Sequence, residues 1–242
     1  IDAGLGDWST NWSWVQPAVA KTTRICTYDR AGYGWSEAGP QPRTTRQFAQ
    51  ELHALLHAAN IPGPYVIAGH SLGGYTARLF AHDYPTEVAG VVLIESTIPS
   101  EDAQIPSDAA SQPGLSPDRL IPALARVAFF RIASALLASP HLPPEAERAF
   151  MALSVSPQYY QNYLDEARGM SEGAVQVRAV QSLGNVPLIV LTRGLGRSAD
   201  DILWGARQTA LLQLSTRSEQ LFAEQSGHNI EIDQPAAAVG AI

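Results

Sequence analysis

The segment Gly69-His70-Ser71-Leu72-Gly73 carries a hydroxyl whose surroundings are those of a nucleophile. Strand-forming residues, Tyr65-Val66-Ile67-Ala68, run into it, and a helix-compatible stretch, Tyr75 to His82, leaves it. A Gly-x-Ser-x-Gly motif between strand and helix puts the serine at the apex of a strained turn with its Oγ exposed above the sheet. A side chain at 69 or 73 would collide with neighbouring backbone as the chain reverses, and Gly74 lets the following helix pack close to the sheet. The Leu72 amide, in the first turn of that helix, points to where negative charge develops on an attacked carbonyl. One short segment thus offers a nucleophile and half of an oxyanion hole.

A serine hydroxyl needs a base to become reactive. His228, in Ser226-Gly227-His228-Asn229-Ile230, follows a short strand candidate at Gln220 to Ala223 and precedes the last helix. A histidine in such a loop can reach back over the sheet, and imidazole is the usual proton acceptor near neutral pH. The remaining histidines are placed differently. His70 lies within the turn and is expected to point away, His82 ends a helix, and His141 sits among prolines. His53 and His57 are four residues apart on one helix, a spacing that can bind a metal, but no third ligand is evident nearby and the pair reads as a solvated face.

The elements that must position these groups follow from apolar patterning. Ile1 to Gly6 reads as a strand end entering a glycine turn, Trp8, Trp12, Trp14 and Val15 as core anchors of a first helix, and Arg24 to Tyr28 as the next strand. Thr44 opens a helix with Gln47 as capping partner, and Phe48, Leu52, Leu55, Leu56 and Ala59 give it an apolar face. The runs Ala89–Ile94 and Pro187–Thr192 lack polar alternation, as parallel strands covered on both faces do. Strands alternating with helices argue for a doubly wound α/β sheet, whose sites lie beyond the carboxyl ends of the strands. Ile98 to Leu183 shows no convincing strand. It opens with a Ser/Pro/Asp-rich passage, Pro99 to Asp118, carries an apolar helix from about Arg119 to Ala138, and resumes helix from Glu145; a structureless loop of that length is improbable, so it reads as a helical cap.

Four stretches in this order, Ala3-Gly4-Leu5-Gly6, Tyr28-Asp29-Arg30-Ala31-Gly32-Tyr33-Gly34-Trp35-Ser36, Gly69 to Gly74, and Gly227-His228 ahead of Asp233-Gln234-Pro235, resemble the α/β-hydrolase superfamily. The similarity covers nearly all of both core portions and little of the cap. It implies an α/β-hydrolase fold, mostly a parallel doubly wound sheet, with core 1–97 and 184–242 and a helical cap, 98–183, inserted after the strand ending at Glu95. It further implies that Leu5 supplies the second oxyanion amide. Ala3 stands where histidine commonly precedes the glycine, which a backbone donor does not require.

The acid is less plain. Many members of the superfamily place it after the strand matching Leu188 to Thr192, and that position is Arg197 here. Asp200 and Asp201 follow, but Ser198-Ala199-Asp200-Asp201 reads as a helix start with acids in its first turn. Other branches place the carboxylate directly after the strand that follows the turn helix, which is Glu95. An acid at the tip of a buried strand needs a partner, and His228 is the natural one, so Glu95 is preferred with Asp200 and Asp201 as alternatives. The resemblance implies cleavage of a small, fairly apolar carboxylic ester through an acyl-enzyme on Ser71, with no metal and no organic cofactor. A peptidase, a lactonase or a non-catalytic receptor on the same fold are the alternatives, and a dehalogenase would need aspartate at 71.

Composition narrows the partners. The chain has 242 residues, 45% hydrophobic and 16% charged, enough for a substantial core and unlike a disordered sequence. A formal charge of -7 offers no basic stripe for nucleic acid. The single cysteine, Cys26, excludes a disulfide framework and reads as buried packing. No apolar run is long enough to cross a bilayer. Both ends read as cut, one in a strand and the other in a helix begun near Pro235, so a signal peptide could precede residue 1; a cytoplasmic location is preferred, and oligomeric state is not legible.

Overall fold

Val88 to Ile94 is apolar at nearly every position because both of its faces are covered. In a computed structural model, which describes residues 1–99, 141–194, 196 and 198–242, it forms β2 (Val88–Ile94) between β1 (Tyr65–His70) and β3 (Leu188–Arg193). β4 (Ser218–Ala223) extends the sheet, and all four strands run parallel in the order β1-β2-β3-β4. Asp2 bridges Gly69 on the free side of β1. The two-residue period of the strands sorts side chains between two cores. Val91, Leu93, Leu188 and Val190 pack on one face, and Val92, Ile94 and Leu191 on the other.

The first face is covered by α2 (Thr45–Ala58), α3 (Gly73–Asp83) and the end of a long helix. Thr44 caps α2 by accepting from the Gln47 amide at 3.4 Å, as the sequence predicts, and Phe48, Leu52 and Leu56 are buried. Leu55 is instead 43% exposed, because it stands one residue off the i, i+4, i+8 row that meets the sheet. The opposite face is covered by Trp12, by Val15 and Val19 around α1 (Gln16–Val19), and by Ile230 and Ala238 near the end of the chain. Trp8 and Trp12 are buried, whereas Trp14 is 44% exposed.

Two expectations fail at the sheet edge. Arg24 to Tyr28 forms no ladder among the described residues: its recorded link to the neighbouring segment is a 2.8 Å hydrogen bond from the Ile1 nitrogen to the Cys26 carbonyl. Cys26 is exposed, since Ile25 takes the place facing the core and the next side chain of an extended segment points away.

Within the expected cap, the Ser/Pro/Asp passage beyond residue 99 and the apolar helix at 119–138 lie outside the described residues. Helices follow as α4 (Pro144–Leu153) and α5 (Pro157–Arg178). The end of α5 shares the first core through Ala174 and Val177. Glycine permits this approach, since a Cβ on Gly169 would overlap the Arg43 carbonyl oxygen and one on Gly173 the Thr45 hydroxyl. The chain then enters α6 (Ala199–Ala210), β4, α7 (Ile230–Asp233) and α8 (Pro235–Ala241).

Glycines that meet backbone and glycines that meet open space should respond oppositely to alanine. A Cβ on Gly69 would overlap the Gly73 carbonyl oxygen, so Gly69→Ala should lose about 1–3 kcal/mol or more. Gly205, inside α6 with no atom near such a Cβ, should gain up to about 1 kcal/mol as alanine. Thermal melts followed by circular dichroism would show this as a fall for the first and a rise of roughly 2–4 °C for the second; equal shifts would contradict it.

Candidate active site

β1 delivers the chain to Ser71, which has φ 49°, a left-handed conformation that a residue with a Cβ rarely adopts. The turn is held from both sides. The Ser71 amide donates to Ile94 O at 3.1 Å, and its carbonyl accepts from the amides of Gly74 and Thr97, each at 3.0 Å. A Cβ on Gly73 would overlap Asp2 O, and one on Gly74 would overlap the Ser96 hydroxyl, the close approaches expected from the sequence.

β2 delivers Glu95 beside it, also left-handed at φ 44° and fully buried. Burial by itself pushes this carboxyl up. Hydrogen bonds from His228, from the Trp204 indole and from the Arg193 amide, together with the Arg193 charge, outweigh burial and hold it below the usual carboxylate range. Trp204 Nε1 lies 3.0 Å from each carboxylate oxygen, and Arg193 N lies 3.1 Å from Oε1.

The loop after β4 brings His228 over the sheet end. Its Nε2 lies 3.0 Å from Ser71 Oγ and its Nδ1 lies 3.3 Å from Glu95 Oε2. An ionised carboxylate can only accept, so the proton sits on Nδ1 and leaves Nε2 free to accept from the serine. Asp233 anchors the loop by accepting from the Gly227 amide at 2.9 Å. His70, whose ring is buried and held neutral with its pKa down to about 4 by burial and by His228, donates from Nε2 to the His228 carbonyl at 2.9 Å. Far from merely pointing away, it fixes the backbone that carries the other imidazole.

Asp201 is occupied elsewhere. It accepts from Ser198 in a capping box and from Arg193 at 2.9 Å, as the helix-start reading of Ser198 to Asp201 implies. Asp200 is exposed, and Arg197 lies outside the described residues.

The loop at Gly4 to Gly6 abuts the serine, for a Cβ on Gly4 would stand 3.4 Å from Ser71 Cβ. It is fastened by Arg30, which is buried and donates to Ala3 O and Gly4 O at 2.6 Å each, to Asp2 Oδ1 at 2.8 Å and to both oxygens of Glu166 at 3.0 and 2.9 Å. Among the described residues the amides of Leu5 and Leu72 have no hydrogen-bond partner. A hydroxyl beside a neutral imidazole, with free amides nearby, can attack a carbonyl carbon and stabilise the oxyanion that results.

Sequence reasoning did not single out Trp204, Glu166 or Asp2. No local pattern marks them, since their partners lie 109, 136 and 28 positions away in the chain. Arg30 did stand within a recognisable stretch, though its task was not legible there.

The sheet, the turn and the loop together define a class. A family model described as the alpha/beta hydrolase fold matches residues 3–182, and the chain belongs to that family. It is 26% identical over 237 residues, 97% of this chain and 78% of the relative, to the uncharacterized protein YqjL of Bacillus subtilis. Among solved structures, a thermophilic esterase from Thermogutta terrifontis superposes with TM-score 0.68 at 20% identity, covering 99% of this chain and 85% of that one. The epoxide hydrolase CorEH gives TM-score 0.71 at 18% identity, covering 98% and 87%. Likenesses at that identity speak to the fold. No helix among the described residues is long and apolar enough to cross a membrane.

Beneath the site, the half-buried Asp7 and the buried His70 and Glu231 converge, and neither oxygen of Glu231 has a hydrogen-bond partner from another residue. Burial pushes Glu231 up to about 8, and burial followed by the Glu231 charge pushes Asp7 up to about 6. The unfolded chain loses the Glu231 proton near its ordinary value of 4.5 while the folded chain keeps it to about 8, so Glu231 makes stability fall as pH rises through that window. Glu231→Gln, which mimics the protonated form, should raise the melting temperature at about pH 8 and change it little at about pH 5. An equal effect at both would mean that the carboxyl is ionised throughout.

Proposed function

We propose that this chain is a serine hydrolase that cleaves carboxylic esters through an acyl-enzyme intermediate on Ser71. The observation that carries the reading is the continuous contact Ser71 Oγ to His228 Nε2 at 3.0 Å and His228 Nδ1 to Glu95 Oε2 at 3.3 Å. As Ser71 Oγ attacks the acyl carbon, its proton passes to His228 Nε2 and the imidazole becomes a cation. Glu95, kept ionised by Trp204 and Arg193, stabilises that cation and holds the ring in register. The Leu5 and Leu72 amides receive the oxyanion. Collapse of the tetrahedral intermediate expels the alcohol, which takes the proton from Nε2. Water then attacks the acyl-serine by the same route and releases the acid, each step being carried by side chains and backbone of this chain.

The alternative of epoxide opening, the activity for which the structural neighbour CorEH is named, is disfavoured by the atom at position 71. Attack on an epoxide by a serine oxygen leaves an ether that water does not cleave, whereas a carboxylate nucleophile leaves a hydrolysable ester. Residues 98–183 act in this reading as the cap. Tyr163 of α5 supports an apolar substrate, since a Cβ on Gly6 would meet its ring at 3.0 Å, with the Tyr159 hydroxyl at the same distance, so that aromatic surface lies beside the loop at Leu5.

A short nitrophenyl ester should give a burst of nitrophenol equal to the enzyme concentration, followed by slower turnover. Ser71→Ala should abolish the burst, and Glu95→Gln should lower kcat by roughly 10³–10⁴ with the fold intact, while Asp200→Asn should leave it near the wild-type value. Full activity in Ser71→Ala would sink the reading.

A further inference from the structure

At the far end of β1 from Ser71 a second group of convergent side chains stands apart from the proposed chemistry. α2 projects His53 and His57 from one face, and the turn Pro85–Glu87, which leads into β2, brings Glu87 against them. We propose that His53, His57 and Glu87 form a binding site for a divalent transition-metal ion of the zinc class, independent of the hydrolase reading. The sequence alone offers only the helical pair. The fold adds the third ligand from 34 residues downstream of His53, and the expectation of a merely solvated face, with no metal, gives way to it.

Three observations carry the assignment. The side chains bring donor atoms near the separations that a tetrahedral ion imposes: His53 Nε2 to His57 Nε2 is 3.1 Å, and the Glu87 carboxylate turns one oxygen to each ring, Oε1 at 3.0 Å from His53 Nε2 and Oε2 at 3.5 Å from His57 Nε2. Metal–ligand bonds of 2.0–2.1 Å at tetrahedral angles put neighbouring donors about 3.3 Å apart.

Protons alone serve this cluster poorly. Glu87 requires a proton on each imidazole nitrogen that faces it, yet those two nitrogens also face each other, and two N–H groups repel. A single proton on His53 Nε2 has to be divided between two acceptors. A cation takes a lone pair from all three groups.

The ligands are also held in advance. The His53 ring stacks on Tyr84 with centroids 3.8 Å apart and planes within 4°, and Phe80 tilts against it at 6.0 Å. His57, the most exposed at 61%, leaves the ion an approach from solvent. His57 and Glu87 also line a groove of about 560 Å³ with Asn60, Pro62 and Tyr65, so a water or an anionic group can complete the fourth position from that side. Bound there, the ion would tie α2 to the turn that starts β2 and stabilise the fold by binding the native state alone.

The test is calorimetric titration of the full chain, free of any histidine tag, with zinc chloride near neutral pH, together with melting curves at the same ion concentrations. One ion per chain is expected, with a rise in melting temperature. His57→Gln should weaken binding by at least about tenfold, and Glu87→Gln should remove the melting shift, both variants keeping the wild-type circular dichroism spectrum. His228→Gln should bind as the wild type does, which separates this site from an ion lodged beside Ser71. Unchanged zinc binding in His57→Gln and Glu87→Gln, loss of binding in His228→Gln, or no heat at submillimolar zinc would each overturn the assignment.

Discussion

A single buried guanidinium holds together the parts that this molecule must keep in register. Arg30 is almost wholly shielded from water, and its hydrogen bonds go to groups that are themselves fixed: the carbonyls of Ala3 and Gly4, the carboxylate of Asp2, and Glu166 of α5. Taking such a charge out of water costs several kcal/mol, and the cost is offset only while each partner stays in place. That condition makes the loop at Leu5, the strand end at Asp2 and the helix above them one body. Removing one partner would leave a buried charge unmatched, which is far worse than never having had the pair.

The same body sets the serine turn. Asp2 bridges Gly69 and its carbonyl oxygen sits where a Cβ on Gly73 would be, so the Arg30 cluster and the serine turn share backbone. Ser71 and Glu95 both adopt left-handed φ, each at a strain on the order of 1–3 kcal/mol. They endure because the surrounding ladders and close glycine contacts leave the chain no other path. The two strained residues end adjacent parallel strands, and this brings their side chains toward one imidazole from different directions.

Carboxyls in this interior take two opposite states, and hydrogen bonding decides between them. Glu95 is enclosed by donors from Trp204, Arg193 and His228 and stays ionised despite complete burial. Glu231, equally buried and without a donor from another residue, is driven toward its neutral form, and Asp7 beside it shifts the same way. His70 lies between the two sets. Held neutral by burial, it can serve as a donor to the His228 carbonyl without adding a charge to the site. Neutral His70 and Glu231 therefore lie under the loop, while the ionised Glu95 faces the His228 ring above it.

The order of chemistry-bearing stretches, the alternation of strand and helix, the glycine needs of the turn, the Thr44 cap and the capping box at Ser198 were legible in the sequence. Each is a local matter of sterics or hydrogen bonding among residues a few positions apart. The capping place of Asp201 was local, whereas the donors around Glu95 come from Arg193 and Trp204. The unpaired edge at Arg24 to Tyr28, the outward Cys26, the Arg30 cluster, the donor role of His70 and the approach of Glu87 to His53 and His57 were decided only in three dimensions. Long-range partners share no spacing rule along the chain. Which of them meet is fixed by how strands align in the sheet and how closely helices pack on it.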